Sequence, residues 1–381
     1  MLKRLYVNNY KCLVNFELSL ARTTLLVGLN GTGKSTVFDL LEQLRSFVAG
    51  DTSVEESFPS RSLTHWQSSD LQRFELTVSG GPDGTAEDYQ YLLELEHDRA
   101  RQRCRVRSEI VRTSTALLFR FQTGEVELFR DDGSVGPQFS FDWNRSGLTA
   151  VVERQDNTRL SWFKRWLREV HAVRLDPASM PSRGEREVPH PKPNLSDFAC
   201  WYRHSMQERP REIGELFDSL SQVLDGFSAL ELVQDGEVAR TLKVRFETLV
   251  EEGESRKSFQ LGFQELSDGQ RALIALYTLL HMTKRQMTTL CLDEPDNFVA
   301  LAEIQPLIFE FCDATEEKGP QVVFASHHPE IIDHPGIERR LLLRRDNGGP
   351  TRITPLQHGE QLGLAPSEMI ARGWENDEAT R

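Results

Sequence analysis

The stretch LLVGLNGTGKSTVFDLLEQL, residues 25–44, decides the fold. It begins inside the apolar, β-branched run TTLLVG, residues 23–28, which is typical of a buried strand. A glycine-rich loop follows, and apolar residues then recur at the spacing of one helix face. These helical positions are Val37, Leu40, Leu41 and Leu44. The sequence therefore predicts a strand, a tight loop and a helix in direct succession.

The loop also carries the pattern G-x-x-x-x-G-K-[ST], which is filled by Gly28, Gly33, Lys34 and Ser35. Glycines let successive backbone N–H groups point at a phosphate, at the positive end of the following helix. Lys34 adds a positive charge, and Ser35 offers a hydroxyl to Mg²⁺. We therefore expect a nucleotide phosphate site. Its expected contact residues are Asn30, Gly31, Thr32, Gly33, Lys34, Ser35 and Thr36.

A second pair of chemically active residues lies in MTTLCLDEPDNF, residues 287–298. An apolar run ends there in Asp293 and Glu294, so two carboxylates are predicted at the carboxyl end of a buried strand. Open parallel sheets bind their ligands at that end. Asp293 can reach a metal ion, and Glu294 can then polarise the attacking water. By itself, such a pair is as often an ordinary strand end.

Two further segments have the form of phosphate contacts. In FQELSDGQRALIALYTLL, Ser267, Gly269 and Gln270 stand directly before an amphipathic helix, whose N-terminus can bind a phosphate. In QVVFASHHPEIID, a β-branched strand is followed by Ser326 and His327, and an imidazole there can hydrogen-bond a γ-phosphate. Alone, the first is usually a helix cap and the second a structural histidine.

In this order, the four motifs resemble the ATP-binding-cassette ATPases, in their SMC/RecF/OLD-like branch and among AAA_21-like ATPases. The resemblance implies an α/β P-loop NTPase head of two lobes, with a β-rich lobe and a short helical insertion. It implies an ATP sandwich, in which the phosphate loop of one subunit faces the LSDGQ segment of its partner. It assigns catalysis to Lys34, Glu294 and His327, and Mg²⁺ binding to Ser35, Asp293 and a glutamine. Gln67 is the first candidate and Gln72 the alternative, and a plain surface residue is as frequent for either.

The chain departs from the long-armed members of that branch. It has neither a long coiled coil nor a CxxC pair between its halves, but a proline-punctuated linker and two short helical patterns. We predict a first lobe over residues 1–176, a linker and short helical arm over 177–227, and a second lobe over 228–381. Because only 54 residues follow His327, we expect any nuclease to be a separate chain. The position that is often aspartate in transporters is Ala300.

Composition and net charge restrict the partners that this chain is expected to bind. The chain has 381 residues, of which 38% are hydrophobic and 27% charged, as expected of a soluble, cytoplasmic globular protein without a membrane partner. The five cysteines are scattered, so reduced thiols are expected. A formal net charge of -13 argues against a protein that coats nucleic acid with its whole surface.

One local basic patch remains. On a strand, alternate residues share a face, so the following arginines would form one positive row: Arg99, Arg101, Arg103, Arg105 and Arg107. The row is either a solvated face that pairs with Glu94 and Glu96 of a neighbouring strand, or a track for the phosphodiester backbone of DNA.

The predicted function is an ATP-hydrolysing homodimer, with higher oligomers left open, that acts on or senses DNA. The resemblance suggests a use in bacterial phage defence or DNA repair, beside a separately encoded nuclease or effector. The alternative is a nucleotide-dependent protein switch that gates an effector and touches no nucleic acid.

Overall fold

The computed structural model describes residues 1–248, 257–316, 319–356 and 364–373. Its strands are β1 (Leu2–Asn8), β2 (Phe16–Ser19), β3 (Thr23–Val27), β4 (Leu71–Gly80), β5 (Glu87–Asp98), β6 (Arg103–Thr113), β7 (Leu117–Gln122), β8 (Glu125–Phe129), β9 (Val135–Ser140), β10 (His171–Val173), β11 (Arg183–Gly184), β12 (Phe227–Asp235), β13 (Ala239–Thr248), β14 (Lys257–Gly262), β15 (Thr289–Asp293), β16 (Gln321–Ala325), β17 (Arg339–Arg344) and β18 (Arg352–Pro355). Its α-helices are α1 (Lys34–Ala49), α2 (Val54–Ser57), α3 (Thr158–Arg168), α4 (Phe198–Glu208), α5 (Pro210–Val223), α6 (Asp268–Thr283), α7 (Leu301–Asp313), α8 (Pro329–Ile332) and α9 (Pro366–Ala371).

A six-stranded sheet carries the predicted motifs. Its order is β10-β15-β16-β3-β17-β18, and every pair is parallel except the terminal β17–β18 hairpin. Every residue of β3, β15 and β16 is buried, as expected of strands covered on both faces. Because parallel strands all point the same way, the loops after β3, β15, β16 and β10 emerge at one edge. The predicted buried strands are confirmed.

An eight-stranded antiparallel sheet in the order β2-β1-β4-β5-β6-β7-β8-β9 forms the β-rich part of the chain. Buried residues alternate along β4 and β5, so one face joins the core and the other meets solvent. The apolar side of α1, including Leu40 and Leu44, belongs to the same core. The predicted P-loop head with a β-rich lobe is therefore confirmed.

The predicted helical insertion is present as α4 and α5, which pack against the body of the protein. Phe198 and Tyr202 of α4 and Leu216 and Leu220 of α5 are buried in one core with residues of α6. That core also receives β12 and β13 of a smaller antiparallel sheet, formed by β11, β12, β13 and β14. These helices do not project as an arm, because their apolar faces are covered. The division of the chain after residues 176 and 227 stays a prediction.

A β-hairpin turns at Asn347 and Gly348. Strands β17 and β18 pair antiparallel, and both turn residues are left-handed, with φ of 51° and 71°. Parallel pairing of β17 with β3 sets this hairpin beside the phosphate loop. Within the described ranges, every helix is too short or too polar to cross a lipid bilayer.

Candidate nucleotide site

The phosphate loop joins β3 to α1 and has the local geometry of an anion site. Gly33 stands at the N-terminus of α1 with φ of 105°, and no side chain caps the first N–H groups of the helix. A Cβ at Gly33 would lie 2.9 Å from Cys12 Sγ and 3.0 Å from Thr351 Oγ1, so only glycine fits. The unused N–H groups and the helix dipole favour a phosphate at this point.

Lys34 lies folded onto its own loop. Its Nζ donates to the carbonyl oxygen of Gly28 at 2.6 Å, and the side chain is buried. Burial lowers the pKa of Lys34, while the charges of Glu294 and Asp293 act in the opposite direction. The lysine therefore sits close enough to both carboxylates to feel their charge, and a phosphate can replace its carbonyl partner.

Two residues of the β17–β18 turn hold the loop, and the motif search missed both. Thr351 Oγ1 donates to the carbonyl oxygen of Thr32 at 2.7 Å. Arg345 Nη1 donates to the carbonyl oxygen of Gly31 at 3.1 Å, and its guanidinium lies 5.2 Å from the centre of the Trp66 ring. No local pattern marks them, because their role depends on a strand pairing across more than 300 residues.

Asp293 ends β15 in a largely buried position. Arg174 follows the neighbouring strand β10 and donates through Nε to Asp293 Oδ2 at 2.7 Å. The other carboxylate oxygen, Oδ1, is buried and has no hydrogen-bond partner in the described structure. A buried oxygen without a donor is costly unless a ligand satisfies it. One oxygen of Asp293 is thus oriented by Arg174, and the other is available to bind a ligand. The sequence analysis missed Arg174, and the short apolar run HAV before it, which forms β10, is the signal that could have revealed it.

Glu294 has the strained backbone often found at functional sites. Its φ of 48° lies in the left-handed region, and its N–H donates to the carbonyl oxygen of Ala325 at 2.7 Å. Oε2 accepts from Asn297 Nδ2 at 3.0 Å, and Oε1 lies 3.6 Å from His327 Nδ1. The His327 side chain is 65% exposed. Two sequence-predicted residues, Glu294 and His327, are therefore adjacent, and Asn297 is an orienting partner that the sequence analysis missed.

The loops after β15 and β16 are tied together. Ser326 Oγ donates to Asp296 Oδ1 at 2.7 Å and accepts from the N–H of His328 at 2.9 Å. The first bond links the loop that carries His327 to the loop that carries Glu294, and the second lies within the His327 loop. The two loops are therefore joined by a side-chain hydrogen bond.

The LSDGQ segment is an exposed helix start. Ser267 Oγ accepts from the N–H of Gln270 at 3.2 Å, and the Gln270 side chain accepts from the N–H of Ser267 at 3.1 Å, which completes a capping box. A Cβ on Gly269 would lie 2.8 Å from the carbonyl oxygen of Phe298, in the loop after β15. The cap is observed, and contact with a phosphate of another subunit stays a prediction.

The two glutamines considered for the metal have different environments. Gln72 is fully buried, with Nε2 donating to Asn9 and Ser62 and with His97 beside Oε1, so it is a satisfied core residue. Gln67 Nε2 donates to Asn8 at 3.2 Å, whereas its Oε1 is buried without a partner in the described residues. Gln67 makes no hydrogen bond to Ser35 or Asp293, and its role as a metal ligand stays a prediction.

The arginine row is shorter than the alternation predicts. Only Arg103, Arg105 and Arg107 lie on β6, where all three are exposed on one face. Arg99 and Arg101 fall in the turn before it, because β5 ends at Asp98 and a tight turn breaks the alternation. Most of the row lines a cavity of about 970 Å³ that also exposes acidic side chains.

Several charges of the row are already paired. Arg105 binds Glu96 at 2.6 Å, as one of the two interpretations expected, and its guanidinium lies 5.3 Å from the centre of the Trp143 ring. Arg99 binds Asp70 at 2.6 Å. Glu94 instead pairs with Arg73 at 3.2 Å. The row is thus partly neutralised, and Arg103 and Arg107 have no ion-pair partner among the described residues.

The fold is that of a mixed α/β P-loop ATPase and resembles an SMC head. Two solved structures share the fold: an Smc head bound to the C-winged helix domain of ScpA, with 13% identity and a TM-score of 0.57, and an Smc head with a coiled coil and joint from Pyrococcus yayanosii, with 10% identity and a TM-score of 0.53. The alignments cover 95% and 98% of this chain, respectively, and 99% of each head.

The chain belongs to the ATPase family described as "AAA domain, putative AbiEii toxin, Type IV TA system", whose profile matches residues 142–333. A second profile, described as an AAA ATPase domain, matches residues 1–71 and includes the phosphate loop. Membership implies nucleotide binding and ATP hydrolysis. A comparison with curated protein sequences finds no match.

Proposed function

We propose that the protein is an Mg²⁺-dependent ATPase that dimerises on ATP and couples its nucleotide state to an effector, with DNA as the trigger. One observation carries the ATPase proposal. Lys34, Asp293, Glu294 and His327 lie at one edge of the parallel sheet, and Asp293 keeps a buried oxygen without a donor. That combination fits a phosphate and a metal ion, since a purely structural carboxylate would be fully paired.

The residues present fit a magnesium ion. Ser35 and Asp293 would hold it, with Gln67 as a third candidate, because oxygen donors are what Mg²⁺ prefers. When bound, the ion would neutralise phosphate charge. Both Arg174 donors bind Asp293 Oδ2, so Oδ1 is left free for a ligand.

The protein supplies the remaining chemistry. Lys34 stabilises charge on the phosphates, and Glu294 takes the proton of the attacking water. Asn297 and the main chain of Ala325 fix the position of Glu294. His327 is exposed beside Glu294 and can donate to the γ-phosphate oxygens. Hydrolysis then leaves ADP and phosphate.

Exposed apolar side chains near these loops support a dimer. Leu29 in the phosphate loop is 82% exposed, and Phe298 and Leu301 after β15 are 50% and 66% exposed. Large exposed apolar side chains around a polar site are characteristic of protein interfaces. Ser267 is exposed at the start of α6, where a second subunit could reach it. We infer a symmetric pair in which each phosphate loop faces the LSDGQ segment of the partner.

The biological role is inferred from the family. Its description names a toxin of a type IV toxin–antitoxin system, which supports a role in bacterial defence beside a separate nuclease or effector. Arg103 and Arg107 support contact with DNA, whereas the paired Arg105 and Arg99 support the second candidate, a protein switch without nucleic acid. Duplex and single-stranded DNA added to an ATPase assay separate the two, because only the first predicts stimulation.

The ATPase proposal is tested by Glu294→Gln. The variant keeps the shape of the side chain and removes the base, so turnover should fall by about 10²-fold or more while ATP binding is retained. Glu17→Gln is the matched control, since Glu17 lies on the edge strand β2 of the antiparallel sheet and pairs with Arg4. Unchanged turnover in Glu294→Gln would refute the assignment.

A further inference from the structure

A group of three potential metal ligands lies outside the nucleotide site. Glu169, His171 and His190 each direct one ligand atom to the same place, and the three atoms lie within 4.8 Å of one another. They come from three different segments: the end of α3, the first residue of β10 and the proline-rich linker. Nothing in the ATPase chemistry uses these side chains.

Local structure fixes each of the three. Glu169 caps the C-terminus of α3, where its N–H donates to the carbonyl oxygen of Arg165. His171 is buried and pairs in register with Leu290 of β15. His190 follows Pro189 and precedes Pro191, and the second proline restricts the His190 backbone to extended conformations. The fold therefore positions the backbone of all three residues before any ligand arrives.

The chemistry of the three side chains suits a metal ion better than an internal network. His190 Nε2 lies 3.7 Å from Glu169 Oε1, which is too long for a hydrogen bond, and His190 Nδ1 is buried without a partner in the described structure. A neutral imidazole keeps one lone pair that a metal ion can accept.

The surroundings leave room for a water ligand. Glu169 and His190 line one cavity of about 310 Å³, and Glu169 and His171 line another of about 350 Å³. Two imidazoles and one carboxylate with an open position form a frequent ligand set for Zn²⁺. Mg²⁺ prefers oxygen donors, which separates this set from the nucleotide site.

We propose that Glu169, His171 and His190 bind one Zn²⁺ ion, which clamps the proline-rich linker to the start of β10. Water fills the fourth position. Both sides of the clamp lead to the ATPase site. Arg174 comes directly after β10, the strand that begins at His171. The Arg174 N–H donates to the carbonyl oxygen of Pro193, three residues beyond His190. The ion thereby positions the guanidinium that holds Asp293, a consequence that rests on the proposed ATPase function.

Metal binding tests the proposal without reference to turnover. Chelator-treated full-length protein is titrated with Zn²⁺ and, separately, with Co²⁺ in excess Mg²⁺, and bound zinc is measured by elemental mass spectrometry. We expect about one zinc per chain, a tetrahedral Co²⁺ absorption spectrum and an affinity loss of at least about 100-fold in His190→Gln. His204→Gln is the matched control, because His204 lines the same cavity as His171 but lies outside the ligand group.

Equal zinc binding by the wild type and His190→Gln, or no zinc binding by the wild type, would overturn the proposal. Thermal unfolding in chelator shows whether the variant folds, and added zinc should then raise the unfolding temperature of the wild type alone. Glu169→Gln serves as a second variant should His190→Gln not fold. If the wild-type protein binds zinc at this site but does not hydrolyse ATP, the proposed function is refuted and the zinc site is retained.

Discussion

The two large sheets each contain a buried carboxylate, and the two carboxylates differ in how many of their oxygens have hydrogen-bond partners. Glu109 of β6 accepts from Tyr91 and Ser146 on one oxygen and from the N–H of Gly147 on the other. Asp293 of β15 is held on one oxygen by Arg174 and has no partner for the other. Glu109 is satisfied within the fold, whereas Asp293 is left ready for a ligand. Hydrogen-bond partners, more than burial, distinguish Asp293, the proposed metal ligand, from the structural Glu109.

The protonation behaviour of Glu109 follows from its position. Burial raises its pKa to about 7, although the hydrogen bonds from Ser146, Tyr91 and Gly147 act in the opposite direction. Hydrogen bonds from neutral donors therefore do not stabilise a buried, ionised carboxylate as the charge of a guanidinium does. At Asp293, Arg174 supplies that charge directly. The antiparallel sheet accordingly holds a carboxyl group that can be neutral, and the parallel sheet holds an ion-paired carboxylate.

The largest expected effect concerns the proposed contact between the phosphate loop of one subunit and the LSDGQ segment of the other. Ser267→Arg puts bulk and charge at the start of α6, so it should abolish turnover and leave ATP binding by the monomer nearly intact. Lys34→Ala should lose nucleotide binding, because the charge that faces the phosphates is gone. A mixture of the two should regain activity, since one site of the heterodimer combines an intact phosphate loop with an intact LSDGQ segment.

That complementation is measured as phosphate release against the mixing ratio, with light scattering to show association. A mixture that associates and stays inactive would contradict the two-chain site. Full-rate hydrolysis by a strictly monomeric protein would contradict it as well.

The next effect concerns Glu109. The pKa of Glu109 is raised in the folded protein, so the folded state keeps a proton that the unfolded state releases between about pH 4.5 and 7. Its contribution to stability is full below that window and is lost as the pH rises through it. On the order of 3 kcal/mol of the free energy of unfolding should be lost over this range. In Glu109→Gln this loss should be absent.

Denaturant unfolding at several pH values measures this slope. The variant is expected to be less stable at low pH, since an amide nitrogen cannot accept from Gly147. Glu125→Gln, on the next hairpin of the same sheet, is the control. If the free energy of unfolding of the wild type and of Glu109→Gln changed with pH in the same way, Glu109 would be ionised in the folded protein and the prediction would be wrong.

A smaller effect is expected at Arg174. Arg174→Ala removes the guanidinium from Asp293, so the carboxylate loses its orientation and activity should fall by about 10–100-fold. The Mg²⁺ concentration needed for half-maximal turnover should rise, which a purely structural role would not produce. Arg174→Lys should restore part of the activity, because one donor remains. An unchanged Mg²⁺ requirement in Arg174→Ala would show that the ion pair does not position Asp293.

The sequence predicted those parts of the fold and site that depend on local pattern. The phosphate loop, the ends of β15 and β16 and the capped start of α6 are each contained in one continuous segment, so spacing and residue type reveal them. Arg174, Thr351 and Arg345 were missed because their partners are more than 100 residues away. The arginine row was overestimated, since alternation predicts one exposed face but not the turn that removes Arg99 and Arg101 from it.

The smallest effect concerns that row and decides between its two interpretations. Arg103→Gln with Arg107→Gln removes two exposed charges that have no ion-pair partner among the described residues. If both contact DNA phosphates, the slope of log affinity against log salt should fall by nearly two units.

Arg112→Gln is the matched control, because Arg112 lies on the same strand and binds Gln90 outside the cavity. Arg105→Gln should change the slope less, since Arg105 must first leave Glu96. Equal slopes for the wild type and the double variant, or no DNA binding by the wild type, would show that the row is a solvated face and favour the protein switch.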